Sequence, residues 1–220
     1  MCGRIVQKSP QAEYVETIFT NLGLIFDDAQ APRYNIPPGT RVLALHRLGG
    51  SPAVEHLWWG YGPPWWRRQP VINARIDTLL RGSAMWRPLL VRRVIVPADG
   101  WYEWTPEGDG KAPWYIHPRD ARPIYLPGIT AWQPGRDHGP ETGMAIITDD
   151  AAGGMIDVHD RRPVVLTAEA AREWIDPATP VDAALELLTV ARPESAFQWH
   201  RVSKRMNSAR YQLPDALAPI

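Results

Sequence analysis

Cysteine is almost absent from this chain: Cys2 is the single one in 220 residues. That excludes a disulfide framework and any zinc site built from several thiolates. No apolar run approaches the ~20 residues of a membrane-spanning helix, and the opening Met1-Cys2-Gly3-Arg4 lacks a hydrophobic signal core, so an intracellular, cytoplasmic protein without membrane contact is expected. The P-loop, His-Glu-x-x-His, Gly-x-Ser-x-Gly and dinucleotide-binding patterns are all missing. His46, His56, His117 and His138 are scattered without metal-ligand spacing, so neither metal nor cofactor is expected. Net charge is missing too, at +0, so a nucleic-acid partner is not to be inferred from the overall balance.

What is present is unusual in kind and in distribution. Eleven tryptophans are a heavy load, and 23 prolines predict rigid loops and few long helices. At 24.8 kDa, without a linker, repeat or low-complexity stretch, the chain reads as one domain over residues 1–220. Arginine outnumbers lysine 21 to 3, and its planar fork suits bidentate phosphate contacts. Seven arginines (Arg67, Arg68, Arg75, Arg81, Arg87, Arg92, Arg93) fall between Trp65 and Arg93 against one acid, Asp77. The stretch from His200 to Arg210 is also basic, while acids gather at Glu13, Glu16, Asp27 and Asp28. Either one face is basic, or arginine simply decorates a solvated surface.

Hydrophobic periodicity predicts strands at 3–7, 41–48, 54–59, 91–97, 112–117, 122–130, 144–148, 164–166 and 197–202. Helices are predicted over 11–20, through Leu80, over 167–175 behind a near capping box at Thr167, and over 182–188. Arg33 to Gly39 reads as a turn-rich loop and Asp149 to Gly154 as a short helix or turn. Strands outnumber helices and most connections allow antiparallel pairing, so the fold class is α+β.

The position of Cys2 makes a chemical suggestion. Removal of Met1 would leave a free α-amine on the carbon that carries the thiol, whereas a retained Met1 would leave only the thiol. With an α-amine near pKa ~8 and a thiol near ~8.5, a 1,2-aminothiol is partly nucleophilic at neutral pH and condenses with an aldehyde to a thiazolidine. The alternative is a small buried hydrophobe. Four further places pose similar choices. Trp65-Trp66-Arg67-Arg68 is either a stacking platform for single-stranded nucleic acid or core packing. Asn73 either caps the helix that follows it or points its amide at a reacting centre. Glu103, set among Trp101, Tyr102 and Trp104, is either a buried proton shuttle of raised pKa or an outward-facing strand residue. His159, beside Asp160 and two arginines, is either catalytic or a structural hydrogen-bonding group.

Six stretches taken in order resemble the SRAP (SOS-response-associated peptidase) family. They are Met1-Cys2-Gly3-Arg4, Arg33-Tyr34-Asn35 with Pro37-Pro38, Trp59-Gly60, Asn73-Ala74-Arg75, Pro97 to Trp104, and His159-Asp160-Arg161-Arg162-Pro163. The resemblance implies a covalent trap for abasic sites in single-stranded DNA, in which processed Cys2 captures the aldehyde of the ring-opened sugar. It implies that Asn73 orients the amine or the adduct, that Glu103 moves protons, and that His159 stabilises the sugar hydroxyl or phosphate. Arg4, Asn35, Arg75 and Arg161 would contact DNA, with Trp65 and Trp66 as a wedge beside the lesion. The implied architecture is a barrel-like core of mainly antiparallel strands with peripheral helices, acting as a monomer and joining the nucleoid when on DNA. Two departures stand out. Arg93-Val94-Ile95-Val96 lacks the cysteine many relatives carry there, and the segment ending in Asn207 is only similar to the family's closing one. Two rivals remain: an N-terminal-nucleophile or cysteine peptidase based on Cys2, which could also remove Met1, and a non-covalent DNA-binding module.

Overall fold

A computed structural model of the chain describes residues 2–20 and 31–220. Met1 and the acidic pair Asp27–Asp28 lie outside the described residues. In chain order the elements are β1 (Ile5–Gln7), α1 (Gln11–Ile18), β2 (Arg33–Ile36), β3 (Arg41–His46), β4 (Ala53–Trp58), β5 (Asn73–Arg75), α2 (Ile76–Leu80), β6 (Arg93–Ala98) and β7 (Gly100–Glu107). They continue with β8 (Gly110–Pro118), β9 (Ile124–Thr130), β10 (Met144–Asp150), β11 (Arg161–Pro163), α3 (Ala168–Trp174), α4 (Val181–Leu187) and β12 (Phe197–Arg201). One sheet of five strands runs β12-β8-β7-β1-β2, and a second of seven runs β11-β10-β9-β6-β3-β4 with β5 paired to β10. Every named pair is antiparallel except β5 with β10.

The predicted α+β class with few helices holds, but the barrel-like core does not. Both sheets are open ladders, and among the described residues the isolated bridge Trp59↔Met144 is what pairs the chain beyond β4 with β10. A single bridge cannot substitute for the continuous staggered ladder that closes a barrel. The molecule is layered instead. Alternate residues of the central strands enter two different cores, which is the period-2 consequence of a pleated strand. Leu43, Leu45, Ile95, Ile129 and Ile147 pack with Tyr14, Val15, Ile18, Leu79 and Trp174 of the helices. Val42, Ala44, Val94, Val96 and Ile146 pack on the other face with Ile5, Trp101, Ile116 and Phe197 of the five-stranded sheet. The outer face of that sheet, with Val6, Tyr102 and Tyr115, is covered by Val202, Met206 and Ala216 near the C-terminus.

Local departures from expectation have local causes. The first half of the predicted 33–39 loop is β2, which pairs with β1. The Gln212 side chain acts on its far side like a neighbouring strand, accepting from Asn35 N at 3.1 Å and donating to Asn35 O at 2.6 Å. Asp149 and Asp150 extend β10 rather than starting a helix, because they pair with Arg162 and Arg161. The strand predicted at 164–166 is therefore displaced to 161–163. The Thr167 hydroxyl does cap α3, accepting from Ala170 N at 3.2 Å, a contact typically worth about 1 kcal/mol.

Asp99 anchors the N-terminal strand. Its carboxylate accepts from Lys8 N at 2.6 Å, Ser9 Oγ at 2.6 Å and Tyr14 Oη at 2.5 Å, fixing the turn from β1 into α1. Gln7 adds a second pin, donating to Leu43 O at 3.0 Å and Pro97 O at 2.8 Å. Gly100 has to lack a side chain, since a Cβ there would collide with the Ile116 carbonyl oxygen. These contacts explain the Asp99-Gly100 motif in physical terms: it fixes where the chain's first residues lie.

Candidate active site

The pinned N-terminus runs antiparallel to β7, with Tyr102 N donating to Arg4 O at 3.0 Å. This pairing brings Cys2 close to Glu103. Cys2 is fully buried, and Asn73 Nδ2 donates to its carbonyl oxygen at 3.0 Å. Asn73 therefore does not cap a helix: it heads β5, and α2 has no side-chain cap. Its Oδ1 is buried without a hydrogen-bond partner among the described residues. Burial, reinforced by the Glu103 carboxylate, pushes the Cys2 thiol far above its ordinary value, so the sulfur is held neutral rather than partly ionised as its intrinsic value suggests.

Glu103 is only 2% exposed, so the outward-facing alternative fails. The strand is buried on both faces, with Trp101 in the inter-sheet core and Tyr102 under the C-terminal cover. Desolvation pushes the Glu103 carboxyl up to about 7, the range in which a carboxyl both gives and takes protons near neutrality.

His159 joins this pair from the loop between β10 and β11. Its Nε2 lies 4.0 Å from Glu103 Oε2. Arg161 N donates to Nδ1 at 3.0 Å, which makes Nδ1 the acceptor and leaves the ring proton on Nε2, facing Glu103. Asp160 Oδ1 also lies 2.8 Å from Nδ1, a contact that suits only a protonated Nδ1. Asp160 is exposed and solvent-screened, and burial lowers the His159 pKa, so the neutral tautomer set by the backbone governs at neutral pH.

The expected phosphate-facing residues divide sharply. Arg161 is buried: Nη2 donates to Thr148 Oγ1 at 3.0 Å, while Nε and Nη1 have no hydrogen-bond partner among the described residues. Nη1 stands 3.6 Å from Asp150, so one cation keeps spare donors in a poorly solvated place. Arg4 lies over the Trp104 ring at 5.6 Å and donates to Asn35 Oδ1 at 2.7 Å. Asn35 is fully buried, with its amide nitrogen committed to Ser208 O and Tyr211 O, so it holds Arg4 in place and is not itself open to DNA. Arg75 is exposed and forked onto Asp77 at 2.9 Å, a screened pair that competes little with a phosphate. Asn207 accepts from Trp104 Nε1 at 2.7 Å and donates to Lys111 O at 3.2 Å, a scaffold role.

Trp65 is 62% exposed, and its ring meets the half-buried Trp66 edge-on at 5.9 Å. Core packing is thereby excluded for Trp65. Trp66 is fixed by donation from Nε1 to Gln69 O at 2.9 Å, and Arg68 lies over its ring at 5.9 Å. Trp66, Arg67, Arg68 and His138 line an open groove of about 520 Å³. Cys2, Asn73, Glu103 and His159 are not among the residues that line it. Sequence reasoning missed Thr148 and Gln212, which hold Arg161 and Asn35. A lone threonine in a strand and a glutamine near the terminus carry no signal of such roles. Among the described residues, no cluster of histidine, cysteine or acidic side chains is arranged to hold a metal ion, and no helix is long and apolar enough to cross a membrane.

The chain is 36% identical to the abasic site processing protein YedK of Escherichia coli over the full length of both. It is 34% identical to the chicken abasic site processing protein HMCES, over 74% of this chain and 56% of that one. The crystal structure of a phage-related protein from Bordetella bronchiseptica superposes with a TM-score of 0.85 at 46% identity, covering 97% of this chain and all of that one. The sequence pattern of the SOS response associated peptidase family matches residues 1–209, and the chain belongs to that family, SRAP.

Proposed function

We propose that this chain is an abasic site processing protein that captures abasic sites in single-stranded DNA through a thiazolidine at Cys2. In this reading it acts as one domain over residues 1–220, as a monomer, in the bacterial cytoplasm and on the nucleoid. The observation that carries the proposal is the buried meeting of Cys2, Asn73 and Glu103, with the carboxyl titrating near 7 beside a neutral thiol. The names of YedK and HMCES support the substrate class.

The chemistry balances with these groups alone. Hydrolysis of the Met1–Cys2 bond frees the α-amine. The amine nitrogen adds to the aldehyde carbon of the ring-opened sugar, giving a carbinolamine. Protonated Glu103 donates to the departing hydroxyl, water leaves, and an iminium forms. The Glu103 carboxylate then takes the thiol proton, and the sulfur adds to the iminium carbon to close the ring. The net change is one water lost, with Glu103 back in its starting form. Asn73 Oδ1 accepts from the amine and aims it, while His159 Nε2–H donates to a sugar hydroxyl or phosphate oxygen. Arg161, Arg4 and Arg75 neutralise phosphates, and Trp65 with Trp66 stacks on bases beside the gap.

Peptidase action, which the family name preserves, needs donors aimed at a tetrahedral oxyanion. The side-chain amide at this terminus, Asn73, already serves the Cys2 carbonyl, so crosslinking is the better-supported reading. Strand cleavage through the iminium is the lyase variant of the same chemistry. Intact mass before and after incubation with a single-stranded oligonucleotide bearing one abasic site tests the proposal. A starting mass short by one methionine, then a gain of the oligonucleotide minus one water that survives denaturation, is expected. Retained Met1 with no adduct overturns it.

A further inference from the structure

His159 stands on the loop between β10 and β11, where Met155 and Val158 are buried in the core between the sheets, and its place against Glu103 depends on how that loop is held. Residues 151–160 leave β10, form a 3-10 helix at Gly153–Asp157 and return as β11. A short helix leaves its first backbone N–H groups without partners inside the helix. Here the acceptor comes from elsewhere in the chain. Glu194, just ahead of β12, accepts from Ala152 N at 2.5 Å through Oε1 and from Met155 N at 3.4 Å through Oε2. A carboxylate at a helix start is favoured by charge as well as by hydrogen bonding.

The contact leads directly to His159. Met155 is buried, and its carbonyl oxygen accepts from Val158 N at 2.9 Å and from His159 N at 3.0 Å. The segment that Glu194 grips thus carries the backbone of the imidazole. Gly153 fits this arrangement twice over: its φ is +55°, and a Cβ would press to 3.0 Å from Glu194 Oε2. At Gly154 a Cβ would stand 3.4 Å from the Trp199 ring of β12, so the loop rests on that strand as well. Arg162, whose guanidinium lies over Phe197 at 5.3 Å and donates to Arg192 O at 2.6 Å, supplies the positive charge near Glu194.

We propose that Glu194 is a positioning residue for the abasic-site reaction, strapping the 152–155 segment so that His159 stands against Glu103. The inference rests on the functional reading above and deepens it. No residue-level similarity to the family motifs points to Glu194, which lies outside all six of the stretches that carry the resemblance.

The test uses Glu194→Ala and Glu194→Gln in the full chain, measuring single-turnover adduct formation with an abasic-site oligonucleotide and the His159 titration by NMR. Glu194→Ala is expected to slow adduct formation about 10-fold, below the ~100-fold that a full ångström of misplacement can cost. Its His159 pKa should rise toward the ordinary histidine value as the ring loses its buried seat. Glu194→Gln keeps an acceptor for Ala152 N and should recover most of the rate; if the alanine variant fails to fold, Glu194→Asp, too short to reach both Ala152 N and Met155 N, should show the rate loss and the His159 shift in its place. In a His159→Ala background the Glu194 change should add less than about twofold, because the group it positions is gone. An unmoved His159 titration with an unchanged rate overturns the proposal, as does an equal 10-fold loss in the His159→Ala background. A wild-type rate for His159→Ala alone would instead remove His159 from the chemistry, while the NMR arm would still decide whether Glu194 seats it.

Discussion

The surroundings of Cys2 and the Trp65–Arg68 loop use polar and aromatic residues in opposite ways. Around Cys2 the functional groups are buried and each is held from another element: Asn73 from β5, Glu103 from β7, His159 from the strapped loop. Their ionisation is set by desolvation, which raises Glu103 and Cys2 and lowers His159. On the loop, Trp65 and two arginines stand in solvent, stiffened by prolines and one indole hydrogen bond. Burial tunes groups for reaction; exposure keeps groups available for a partner. On the proposed function the two regions divide chemistry from capture, and each should then fail in its own way.

The largest effect is expected from Cys2→Ala, which should abolish the denaturation-resistant adduct while single-strand affinity stays within about twofold in a filter or anisotropy assay. Parallel loss of binding would break the division. Glu103→Gln should slow adduct formation on the order of 100-fold, within the usual range for a general acid–base. It should also erase the rate transition near pH 7. The same variant carries a stability prediction. Glu103 titrates near 4.5 when unfolded and near 7 when folded, so between those values the folded state keeps a proton the unfolded state has lost. Stability from this group is full below about pH 4.5, falls as pH rises to 7 and then stays level. Denaturation of Glu103→Gln at pH 8 should therefore show a gain on the order of 3 kcal/mol and no such slope.

Trp65→Ala should weaken binding about 10-fold, the loss of one stacked base, with the rate at saturating DNA unchanged. A lower saturating rate with intact affinity would move Trp65 into the chemistry. The smallest effect is expected from replacing Arg67 and Arg68 by Ala, which should reduce the slope of log affinity against log salt by about 0.7 per lost phosphate contact. A slope that does not change would leave those arginines as solvated surface.

The legible parts of this protein were those with a one-dimensional signature. Strand periodicity located β3, β6, β9 and β10, because alternate residues feed two cores. The motifs located Cys2, Asn73, Glu103 and His159, which the fold does bring together. Asn35 belongs to a motif as well, yet its side chain is spent on Arg4 and the C-terminal segment. A motif records that a residue matters without saying whether it touches the partner or holds a residue that does.

By itself, the sequence determined the α+β class, the place of the single cysteine at position 2 and the motif residues that the fold gathers around it. Only the tertiary structure decided that the sheets stay open, that Glu103 faces inward and that the thiol is neutral. It alone also decided that Arg161 is buried with donors to spare, and that Glu194 reaches back to the loop of His159. The physical reason is common to these cases. Periodicity and motifs are local along the chain, whereas desolvation, pKa and hydrogen-bond partnership depend on which distant strands come to lie together.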